Sequence, residues 1–139
     1  MFKARPPGSE ERFVLTLSDD FLVRRCFDHW VVVGPSGLFV IVRSDGDAAA
    51  CAQRAVDHAH VLRSRLADEL PWVPFVSAVV VADGDRHDLA CPVVDIDDLT
   101  PFVQHGGRQI GDGALQLLRH HVPGAVQQIE LDQNASGIR

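Results

Sequence analysis

Two apolar, β-branched runs, His29 to Val33 and Leu38 to Val42, stand on either side of Gly34-Pro35-Ser36-Gly37. This arrangement constrains the chain more than any other. Proline fixes φ at one central turn position and glycine relieves the backbone at the next corner, so the two runs must fold back on each other as an antiparallel hairpin. With Pro35 and Ser36 as the loop, Gly34 pairs with Gly37. That register brings Asp28 near Val42, Arg43 and Ser44 at the open end of the hairpin.

The rest of the chain arranges itself around that hairpin. Met1 to Gly8 reads as a loose leader, Ser9 as the cap of a first helix burying Phe13, Val14 and Leu17, and Phe21 to Cys26 as a strand. After the Asp45-Gly46-Asp47 turn, Asp47 is positioned to cap a long helix whose inner stripe is Ala52, Ala55, Ala59, Leu62, Leu66 and Leu70. Pro71 is expected to end it, giving about 23 residues and roughly 34 Å. Phe75 to Ala82 is apolar enough for a strand buried on both faces, and Pro92 to Ile96 reads as one more strand. Asp97 or Asp98 is expected to cap a short helix through Leu99 and Phe102. Gly106 to Gly113 reads as a flexible loop, Ala114 to Val122 as a last helix stopped by Pro123-Gly124, and the chain after Leu131 as a frayed tail.

These elements predict one α/β domain over residues 9–131, between a leader (1–8) and a tail (132–139). Its mixed sheet has a central antiparallel hairpin flanked by helices. The strand after the long helix returns through a crossover and runs parallel.

Size and composition agree with one folded domain: 139 residues, 46% hydrophobic and 23% charged. The formal charge is -6, and it is uneven: nine basic residues face ten acidic ones up to Leu70, whereas four face nine after it. Broad electrostatic binding of nucleic acid is therefore disfavoured, with Arg24, Arg25 and Arg43 the only basic cluster near the hairpin. Cys26, Cys51 and Cys91 are odd in number and far apart, which argues for reduced thiols over a disulfide framework or a thiolate zinc site. No signal-peptide pattern and no membrane-length apolar run is present, so the expectation is a cytoplasmic protein without membrane contact.

The segment from Phe27 to Ile41, with Asp28-His29 opening a strand and Gly34-Pro35-Ser36-Gly37 turning it, resembles the central motif of nuclease-related (NERD) domains. The resemblance extends more thinly from about Gly8 to about Val122, including Gly8-Ser9-Glu10 and Gln53. It implies a restriction-endonuclease-like αβββαβ core. It also implies a site in which two carboxylates hold Mg²⁺ or Mn²⁺ beside a phosphate while a lysine assists the attacking water.

Alignment on the turn puts Asp28 at the first carboxylate, Val42 at the second and Ser44 at the lysine. Lys3 is the only lysine in the chain. Arg43 points to the opposite strand face from residues 42 and 44, and its guanidinium stays protonated. The resemblance thus implies a relic site at Asp28 and Gln53, with no cofactor expected. The alternative is a working nuclease in which Asp45 or Asp47 joins Asp28 around Mg²⁺ or Mn²⁺.

Each residue also has a plainer reading. Asp28 can be a strand-end acid paired with Arg24, Arg25 or Arg43, Asp47 a helix cap, and Gln53 a solvent-facing amide. Among the seven histidines, His58 and His60 lie two apart on a helix and diverge, as do the adjacent His120 and His121, which disfavours zinc. Gly106-Gly107 and Gly111-x-Gly113 follow no strand directly and so make a poor phosphate loop.

Three functions fit these readings: a non-catalytic nuclease-related binding or scaffolding module, a metal-dependent DNA nuclease, and a protein-interaction or homo-oligomerising domain using a sheet edge or the surfaces of Trp30 and Trp72. The partner is a protein or a nucleic acid.

Overall fold

The computed structural model describes residues 21–26, 29–44, 46–83, 86, 88–104 and 109–137. The expected first helix capped by Ser9 lies outside them. Five strands form one sheet in sequence order: β1 (Leu22–Cys26), β2 (His29–Gly34), β3 (Gly37–Arg43), β4 (Val76–Ala82) and β5 (Val93–Asp95). Three helices accompany them among the described residues: α1 (Ala48–Ala67), α2 (Ile96–Gln104) and α3 (Asp112–Gly137). The result is a small α/β domain with a mixed sheet. β1, β2 and β3 are antiparallel neighbours, whereas β4 and β5 run parallel to β3 and β4.

The hairpin register is the one the turn dictates. Gly34 faces Gly37, and His29 faces Val42. Both glycines are required. Gly37 has φ of 151°, outside the range of L side chains, and a Cβ at Gly34 would lie 2.3 Å from the Phe21 ring.

The turn also anchors distant chain. Ser36 Oγ donates to the Val103 carbonyl at the end of α2, and the Pro35 carbonyl accepts from the amides of Gln109 and Ile110 at 2.7 and 3.0 Å. Ile110 is buried. The described end of the segment expected as a flexible loop is therefore fastened to the hairpin; 105–108 lie outside the described residues.

α1 and α3 share one face of the sheet. Val31, Val33, Val40 and Val42 on the hairpin pack there against the small and aliphatic stripe of α1 and against Leu115, Leu118, Val122 and Ile129 of α3. The opposite face is smaller, with Phe39, Ile41, Val79 and Val81 covered by Leu99 and Val103 of α2.

Several boundaries differ from the sequence reading. α1 ends at Ala67 ahead of Pro71, and a further turn bonded to Leu66 brings Leu70 into the core. Phe75 precedes β4 and is 79% exposed, so the expected buried strand begins one residue later. β5 has only three residues, because Ile96 already belongs to α2. The start of α2 is held by Asp95, whose carboxylate accepts from the Asp97 amide at 3.0 Å, in place of the expected Asp97 or Asp98.

The largest correction concerns α3, which runs through Pro123 and Gly124 to Gly137 as a 26-residue helix. Proline removes one helical hydrogen bond and crowds the preceding turn. Val122, Ala125, Val126 and Ile129 nevertheless continue the buried stripe, and packing along that stripe outweighs the local preference. An ion pair from Arg65 to Asp132 and a 2.8 Å hydrogen-bond contact between His121 Nδ1 and Glu69 Oε1 tie α3 to α1 and the turn after it.

Candidate functional site

The resemblance directs attention to the open end of the β2–β3 hairpin. Asp28 and Asp45 both lie outside the described residues. Val42 is completely buried within the α1 face of the core. Ser44 continues β3 by donating its amide to the Val81 carbonyl at 2.8 Å, while its hydroxyl accepts from the Gly46 amide at 3.2 Å. Both positions expected to carry a carboxylate and a lysine are thus absorbed into packing and a turn.

Asp47 caps α1, its carboxylate accepting from the Ala50 amide at 3.0 Å. Gln53 is exposed and donates to Asp57 one turn along the same helix at 3.1 Å, the arrangement of a solvent-facing amide. Arg25 lies over the Trp30 ring, 5.1 Å from its centroid, and Arg24 donates to the adjacent Val23 carbonyl. The arginines of the sequence cluster therefore have separate tasks.

What the hairpin end does hold is a pair of imidazoles. His29, directly across from Val42, is 4% exposed and stacks on His58 of α1 with ring centroids 3.9 Å apart. Sequence spacing separated His58 from His60 correctly, since His60 is exposed. It gave no sign that His58 would meet His29, although His58 lies three and four residues from Ala55 and Leu62 of the inner stripe. His120 and His121, expected to diverge, meet edge to face at 5.0 Å.

The carboxyl ends of the parallel strands border a crevice of about 390 Å³ lined by Arg43, Ser44, Gly46, Asp83, Arg86 and Ile96. Open α/β sheets commonly receive ligands at this end. Arg86 is engaged by Asp88, with two contacts of 3.1 and 2.9 Å, and this hydrogen bonding raises the guanidinium above its ordinary value.

Among the described residues no group of three or more His, Cys, Asp or Glu side chains converges, and hard cations need several oxygen donors. The cysteines Cys26, Cys51 and Cys91 are buried thiols, not joined in disulfides. Among the described residues no helix is long and apolar enough to cross a membrane. Comparison of the chain with protein-family models, with curated proteins and with solved structures gives no match.

Proposed function

We propose that this chain is a non-catalytic relative of nuclease-related domains that serves as a binding or scaffolding module, in a setting linked to DNA processing. The observation that carries this reading is the hairpin register. It sets the aliphatic, fully buried Val42 opposite His29, where alignment on the turn expects a second carboxylate, and Ser44, bonded to Val81 and Gly46, stands where that alignment expects a lysine. A phosphodiester-cleaving site needs charge at both positions to hold a cation and to stabilise the attacked phosphate. The chain offers an alkyl group and a hydroxyl.

The competing reading recruits Asp45 and Asp47 around Asp28. Asp47 is already used as the cap of α1. The two readings separate in one experiment: isothermal titration of the protein with Mn²⁺ beside cleavage assays on single-stranded and duplex DNA, with Asp28→Asn as control. Absence of both uptake and cleavage is the expected result. Metal-dependent cleavage lost in Asp28→Asn would establish the nuclease instead.

A further inference from the structure

The far side of β4 is a different kind of surface. β5 covers β4 only from Val80 to Ala82. Peptide groups along a strand point alternately to its two neighbours. The Val80 amide donates to the Pro92 carbonyl at 3.0 Å on the β5 side, so the peptide groups of Val76 and Ala78 face that same side. Among the described residues no strand pairs with them there.

Beside this uncovered edge lies an apolar groove of about 360 Å³. Ala59 of α1 and Ala78 of β4 leave room at its floor, and Phe75 and Phe102 wall it. Phe75 is 79% exposed, an unusual state for a phenylalanine next to a buried strand. His60 and Arg63, three apart on α1 and so on neighbouring positions of one face, line the same groove. They are basic groups on a chain of net charge -6. Among the described residues no carboxylate is paired with Arg63.

We propose that the Val76–Val79 edge of β4 and its groove bind an extended apolar peptide segment that carries a carboxylate. The segment adds as a short strand. Its backbone pairs with Val76 and Ala78, its alternate side chains enter the groove against Phe75 and Phe102, and its acid meets Arg63 and His60. Strand addition of this kind draws affinity from main-chain hydrogen bonds and selectivity from pockets for alternate side chains.

A second copy of the chain suits the edge poorly. Antiparallel pairing of two β4 edges would drive β5 of each copy, which follows on the same edge from Val80, into the residues ahead of Val76 in the other. The inference stands on the β4 edge alone and does not depend on the reading of the hairpin.

The test is selection of short random peptides displayed on phage against the immobilised protein, followed by fluorescence anisotropy with the enriched sequences. Peptides alternating apolar residues with at least one Asp or Glu are expected. Exchanging that acid for Lys, or using Arg63→Glu protein, should weaken binding about tenfold, as should Phe75→Ser. Ala78→Pro removes an outward amide that serves no internal ladder and should abolish pairing while the melting curve is retained. Phe75→Ser supplies an independent reading should Ala78→Pro fail to fold. No enrichment over Phe75→Ser protein, indifference to the acid, or a concentration-dependent dimer whose formation protects the Val76 and Ala78 amides from exchange would overturn the proposal.

Discussion

The open end of the hairpin and the uncovered edge of β4 belong to the same sheet and are finished in opposite ways. At the hairpin end the described side chains are engaged in packing or local bonds: Val42 in the core, Ser44 in a turn, Asp47 in a helix cap, His29 against His58. At the β4 edge the short β5 leaves backbone groups that no strand among the described residues covers, beside Phe75 and Arg63. The difference teaches that a recognisable motif and an available surface need not coincide. The hairpin turn itself organises the fold, since Pro35 and Ser36 hold α2 and the residues just ahead of α3.

The most severe test of the sealed end is Val42→Glu. An unpaired carboxylate placed at this fully buried position should cost about 3–5 kcal/mol in urea unfolding. A variant that kept wild-type stability and bound Mn²⁺ would show instead that the hairpin end is an adaptable site, and the contrast with β4 would collapse.

Cys91 lines the groove and donates its thiol to the Ala52 carbonyl of α1 at 3.8 Å. Burial pushes its thiol up from 9.0 to about 11. The folded state therefore holds this proton more tightly than the unfolded chain. Its contribution to stability is intact below pH 9 and should fall between about pH 9 and 11, by roughly 1 kcal/mol for each pH unit crossed. With no tyrosine and one lysine in the chain, few other groups titrate in that window. Urea midpoints should fall more steeply across it for wild type than for Cys91→Ala; parallel curves would mean that the thiol is hydrated through the groove.

Smaller effects sharpen the contrast. Asp47→Ala should cost about 1 kcal/mol through loss of the α1 cap, whereas Asp47→Asn should be nearly neutral because the amide oxygen still accepts from Ala50. Equal losses in the two variants would point to a need for negative charge and so favour the metal-binding reading. Phe75→Ser should change unfolding free energy by less than about 0.5 kcal/mol, as expected for an exposed side chain. A larger loss would mark Phe75 as part of the core and leave the β4 edge without its anchor.

The hairpin, its register, the Asp47 cap and the inner stripe of α1 were legible because each rests on local geometry: a turn that only one pairing satisfies, and a period that only one helix face can bury. α3 was misread where local signals conflict. The stripe Leu115, Leu118, Val122, Ala125, Val126 and Ile129 was present in the sequence, yet Pro123-Gly124 in isolation argues for a stop. The stack of His29 on His58 was not legible, because it joins residues on different elements with no shared spacing.

By itself the sequence determined that the chain reverses at Pro35 and Ser36, crosses back through a long helix and returns parallel, since sterics and periodicity act between near neighbours. Only the tertiary structure decided how far β5 extends along β4, that α3 passes through its proline, and which sheet edge the described residues leave without a neighbour. Those outcomes depend on competition for burial among elements distant in the chain, and that competition is settled only when they pack.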